Sequence, residues 1–129
     1  MRVGALVLIL LLSLAAAPAW AVDWGQAQTV TVVTSEYRFA PSQLTLRQGI
    51  PYRLHLENHG KEMHEFTAPA FIKSLSIRNP KVLNADRTEV GLQPGATKDL
   101  YFVPKTAGHY PLICGDHDWA GMTGNITVE

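Results

Sequence analysis

The sequence predicts an all-β fold, a Greek-key β-sandwich of roughly seven or eight strands. Three observations carry this expectation. Short runs rich in β-branched and aromatic residues recur along the chain, Gly- and Pro-containing turns separate them, and no stretch sustains a helical apolar period.

The first segment is set apart. Met1-Arg2 gives a positive start, Val3 to Ala17 runs apolar with Ser13 as its polar interruption, and Pro18 ends the run before Ala19-Trp20-Ala21. This is the pattern of a secretory signal peptide cleaved after Ala21. A membrane anchor would need roughly 20 unbroken apolar residues, more than this run offers. Residues 22–129 are then one compact domain, too short for two cores. Removing Arg2 leaves ten Lys and Arg against eleven Asp and Glu, so nothing points to nucleic acid.

Val30 to Phe39, Gln43 to Arg47 and Pro51 to Asn58 read as the first strands, with Ala40-Pro41-Ser42 and Gln48-Gly49-Ile50-Pro51 as breaks. In the third run Tyr52, Leu54 and Leu56 alternate with Arg53, His55 and Glu57, which gives one apolar face and one wet face carrying His55. Glu65 to Ala68 reads as a short strand, and Pro69 to Arg87 as an irregular stretch. Leu92-Gln93-Pro94-Gly95 is a turn, Lys98 to Val103 a strand, and His109 to Cys114 and Asn125 to Glu129 the last two. Asn125-Ile126-Thr127 matches a glycosylation acceptor, but it lies in a strand and is assigned no role.

Export would place the chain where disulfides form, yet Cys114 is its single cysteine. Taken alone, a buried inert thiol explains it as well as a ligand does. Its neighbourhood changes the balance. Cys114, His117 and Met122 fall within nine residues, at the end of one strand and on the tight loop before the next. Thiolate and thioether suit Cu(I), imidazole suits both oxidation states, and a trigonal His₂Cys set with a long axial Met is the arrangement of electron-transfer copper sites.

A second histidine must come from elsewhere. His55 faces water, and His109 points away from the face shared by Tyr110, Leu112 and Cys114. His64 opens a run that can return beside the Cys114 strand, with His59 as its rival. Met63 and Glu65 flank His64 and read as bystanders, while Glu62 and Asp118 read as solvated charges. His59, Glu62 and Met63 together suggest a second, weaker copper site. A binuclear copper centre would need another cysteine, structural zinc prefers more thiolates or histidines, and a Cys-His hydrolase lacks an oxyanion loop and an orienting third group.

The run Gly-x-Tyr-x₃-Cys-x₂-His-x₂-Ala-Gly-Met-x-Gly-x-Ile-Thr-Val, from Gly108 to Val128, resembles the C-terminus of the small blue copper proteins, plastocyanin and pseudoazurin. Asn58 ahead of His64, and Phe39-x-Pro41 leading to Gly49, extend the likeness upstream. The resemblance implies a type 1 copper (cupredoxin) domain with His64, Cys114, His117 and Met122 as ligands of one copper ion cycling between Cu(I) and Cu(II). It also implies a periplasmic one-electron carrier, not an enzyme. Partner proteins would dock near His117 and Trp119 on a patch that includes Ala120 and Gly121. The alternative is copper sequestration, delivery or tolerance in the same compartment. Glu65 and Asp116 depart from the usual Asn and Pro; the Asp116 amide is expected to donate to the Cys114 sulfur, which would raise the reduction potential while the nearby carboxylates lower it.

Overall fold

The computed structural model describes residues 21–129. The expected signal segment therefore lies outside the described residues, apart from Ala21. Ten strands and one short helix follow: β1 (Gln28–Ser35), β2 (Arg38–Ala40), β3 (Gln43–Leu46), β4 (Tyr52–Asn58), β5 (His64–Thr67), α1 (Pro69–Lys73), β6 (Leu75–Ile77), β7 (Glu89–Leu92), β8 (Thr97–Pro104), β9 (Gly108–Ile113) and β10 (Thr123–Val128).

They form two five-stranded sheets, ordered β2-β1-β4-β8-β6 and β3-β10-β9-β5-β7. From β3 to β9 successive strands alternate between the sheets, so the chain is wound by crossovers. Direct hairpins occur at β1–β2 and β9–β10. Two pairs are parallel, β1 with β4 and β3 with β10. The expected sandwich is present, with more strands than the seven or eight anticipated.

The extra strands have identifiable origins. The run from Val30 to Phe39 turns back on itself at Glu36-Tyr37, pairing Val33 with Ala40 and Thr34 with Phe39. No Gly, Pro or Asn marks this turn, so the sequence reads as one continuous strand. In the stretch expected to be irregular, Pro69 starts the five-residue helix α1, which buries Phe71 and Ile72. Pro is favoured at a helix start because its missing N–H has no intrahelical partner there. β6 follows and pairs with β8.

Between the sheets lie Leu54, Leu56, Phe66, Phe102, Leu112 and Ile126, all at most 2% exposed. The alternation on β4 holds: Tyr52, Leu54 and Leu56 are buried, while Arg53, His55 and Glu57 are half-buried on the outer face. His55 is less open than its strand phase implies, because Asp99 and Glu57 enclose it. Burying these apolar side chains drives the sandwich together at about 1.5–3 kcal/mol for each large one, and it fixes which ends of β5 and β9 meet.

Candidate metal centre

Two strands of one sheet and the loop that follows build the site. β5 and β9 are antiparallel neighbours, with Thr67 opposite Ile113, so His64 at the start of β5 comes to the end of β9 where Cys114 lies. The loop from Cys114 to Met122 is folded by its own backbone. Cys114 N–H donates to Met122 O at 3.0 Å, His117 N–H to Cys114 O at 3.2 Å, and Ala120 N–H to His117 O at 3.0 Å. Gly121 ends the short turn Asp118–Ala120 at φ 79°, a left-handed conformation that glycine adopts without steric cost. Without that reversal, Met122 could not return to meet Cys114.

The pairing of β5 with β9 and the folding of this loop together bring three donor groups into one place. Cys114 Sγ lies 3.5 Å from His117 Nδ1 and 4.0 Å from His64 Nδ1, and ligand atoms of all three residues fall within 4.8 Å of one another. First-row metal bonds of roughly 2.0–2.3 Å to nitrogen and thiolate place donors around one ion at about such separations. His64, Cys114 and Met122 are all fully buried. The donor types, their spacing and their seclusion thus fit a copper ion. His59, the rival for the second imidazole, instead bonds Glu57 at 2.8 Å with its side chain 62% exposed. His109 bonds Thr127 on the exposed side of β9. Among the described residues, His64, Cys114 and His117 form the one such cluster of His, Cys, Asp and Glu donors, and Met63 is held by Gln93 at the surface.

Electrostatics follow from burial. Desolvation, then repulsion from His117, lowers the His64 pKa against the pull of Glu36, so this imidazole is neutral at pH 7 and has a lone pair to offer. Burial pushes the Cys114 thiol up to about 11, with the Glu65 N–H opposing and the Glu65 carboxyl adding to the rise. A metal must therefore displace a proton from sulfur.

Three expectations are corrected here. Glu65 is no bystander: it is buried, its Oε2 accepts from the Cys114 thiol at 3.1 Å, and its N–H donates to the sulfur at 3.4 Å. The Asp116 amide makes its hydrogen bond to Glu65 Oε2 at 3.2 Å, and reaches the sulfur only as a weaker partner. Glu62 is not merely a solvated charge, since its Oε2 stands 3.5 Å from His117 Nε2. Asp118, by contrast, simply caps the Trp119 N–H.

Tyr37, which the sequence did not single out, covers the outer side of the site. Its ring lies 4.9 Å from His117 and 5.9 Å from Trp119, leaving the His117 side chain 13% exposed and Trp119 76% exposed. Its hidden signal was the unmarked turn between β1 and β2, which swings residues 36 and 37 toward the ligand loop.

Comparison with known proteins agrees with this fold. A relative, the copper-resistant cuproprotein CopI of Rubrivivax gelatinosus, is 33% identical over 116 residues, spanning 83% of this chain and 70% of the relative. Auracyanin B has a similar fold, with a TM-score of 0.61 at 24% identity over 84% of this chain and 93% of its own. Reduced auracyanin of Roseiflexus castenholzii gives 0.60 at 16% identity over 81% and 99%. The family model described as the cupredoxin-like domain matches residues 3–128, and the chain belongs to that family.

Proposed function

We propose that this chain is an exported copper protein that carries single electrons. One copper ion would be held by His64 Nδ1, Cys114 Sγ and His117 Nδ1, with the Met122 thioether as a weak axial donor. The observation that carries this reading is the convergence of one thiol and two imidazoles within 4.8 Å in a buried pocket. Bound copper supplies a centre that exchanges one electron between its Cu(I) and Cu(II) states.

The chain's own residues supply the rest. Backbone hydrogen bonds across the Cys114–Met122 loop hold the donors in place, so a change of charge moves few atoms. The Glu65 N–H steadies negative charge on the sulfur. Tyr37 and Trp119 extend from His117 to the surface, where they offer partner proteins an aromatic patch for brief docking. With four protein donors, no position remains for a substrate, and a carrier suits the site better than an enzyme does. Residues 1–21 would be removed on export to the periplasm, leaving 22–129 as the working domain. No helix among the described residues is long and apolar enough to cross a membrane.

Adding Cu(II) to the purified protein tests the reading. It predicts one copper per chain, an intense blue or green sulfur-to-copper band and reversible voltammetry. Absence of the band would overturn it.

A second reading has a specific observation in its favour: the relative at 33% identity is a copper-resistant cuproprotein. Under that reading the same ligands store or deliver copper. Slow self-exchange, irreversible reduction and copper sensitivity of cells lacking the protein would favour it over electron transfer.

A further inference from the structure

His64 poses a problem that its neighbours on β5 do not solve. Its side chain is 0% exposed, and its Nε2 has no hydrogen-bond partner. A neutral imidazole carries one N–H and one lone pair. If Nδ1 turns its lone pair toward Cys114 and His117, the proton resides on Nε2, where a buried donor without an acceptor is costly.

One carboxylate is placed to answer it. Glu36 Oε1, from the turn between β1 and β2, lies 3.7 Å from His64 Nε2, less than an ångström beyond ordinary hydrogen-bond length. This oxygen is anchored, because it accepts the N–H groups of Lys61 and Glu62, in the segment just before His64. The space it fills depends on Gly60. A Cβ at that position would sit 2.7 Å from both Glu36 carboxylate oxygens, so any side chain there would displace the group.

From these placements we infer that Glu36 is a positioning residue for the metal centre. Its carboxylate receives the His64 Nε2–H, fixes that tautomer and keeps Nδ1 directed at the shared site. The inference rests on the reading of His64 Nδ1 as a copper ligand. A carboxylate behind a ligating imidazole also makes the ring a stronger donor, and removing such partners lowers metal affinity about 10- to 100-fold. The turn between β1 and β2 thereby becomes part of the site, although it supplies no ligand.

The test uses the full mature chain as wild type, Glu36→Ala and Glu36→Gln, each loaded with Cu(I), which is diamagnetic and open to nitrogen NMR of the imidazoles. Wild type is expected to show His64 protonated at Nε2 with slow exchange of that proton. Glu36→Ala should exchange it much faster and lose about tenfold or more in Cu(I) affinity against a chromophoric chelator. Glu36→Gln keeps an acceptor oxygen and should fall between the two; if Glu36→Ala fails to fold, this variant decides alone against wild type. Identical Nε2 signals and affinities in wild type and the variants would overturn the inference and leave the copper site standing, whereas His64 protonated at Nδ1 in wild type would overturn both the inference and the assignment of His64 Nδ1 as a ligand. If wild type itself forms no sulfur-to-copper band with Cu(II), the proposed function falls and this inference with it.

Discussion

The outer face of β4 and the end of β5 both bring histidine together with carboxylates, and they differ in what is left over. Around His55 both ring nitrogens are engaged: Nδ1 meets Asp99 at 2.7 Å and Nε2 meets Glu57 at 3.0 Å, while the other Glu57 oxygen bonds His59. Around His64 one nitrogen faces a thiol and a second imidazole, and the other lacks a partner. In the first cluster both His55 nitrogens are bonded half in water, and Arg53 Nε, which makes no hydrogen bond of its own, still stands 3.2 Å from an oppositely charged Asp99 oxygen. The second leaves donor capacity unspent in a dry place. Unsatisfied buried groups are rare enough to call for a cause, and a metal with its supporting carboxylate is the cause proposed above.

The largest expected effect separates the two clusters outright. Cys114→Ala should abolish the sulfur-to-copper band, whereas His55→Ala should leave it at full intensity; optical titration with Cu(II) reads both. Next, His64→Ala should weaken Cu(I) binding more than about a hundredfold, beyond the loss of an outer partner. His59→Ala should change it little, and competition with a chelator measures each. A third effect concerns protons. Because Cys114 is held at about 11 and His64 is held low, copper uptake at pH 7 should release about one proton per ion, from the thiol, as read in weakly buffered dye solution.

The smallest effect lies in the His55 cluster. The hydrogen bond that His55 donates to Asp99 raises the His55 pKa despite burial, with Glu57 adding to it. A raised folded value means that its stabilisation is complete below the unfolded pKa of about 6.5 and is lost as pH rises through the folded one. Asp99 runs the other way: burial would raise it, but His55 and Arg53 together lower it. Its contribution is lost only as pH falls through that depressed value. The stability difference between wild type and His55→Gln should therefore shrink as pH climbs above about 6.5. It should stay below about 1 kcal/mol, as for other ion pairs near a surface; urea unfolding across pH 5 to 9 measures it.

Much of this was legible in the residues. The sandwich followed from period-two runs and turn signals, and the meeting of Cys114 with His117 followed from their closeness in sequence. His64 was harder, since pairing it with Cys114 requires knowing that β5 lies beside β9. Glu36 and Tyr37 were not singled out, while Glu65 read as a bystander and Glu62 as a solvated charge or part of a weaker second site. The first two sit at a turn without a turn residue. The latter two lie within two residues of His64, and the fold buries Glu65 and brings Glu62 to His117. Local chemistry is written along the chain, but its surroundings are set by crossovers between sheets.

The exposed indole of Trp119, 6.4 Å from the His117 ring and tethered by its N–H to the Asp116 carbonyl at 2.8 Å, gives the protein an intrinsic lamp beside its metal pocket. An absorbing, redox-active ion at that range drains the excited state of the ring, so filling and emptying of the pocket become visible as dimming and recovery of fluorescence. Trp24, packed against Tyr101 with Arg78 over its ring, supplies a steady background for the comparison.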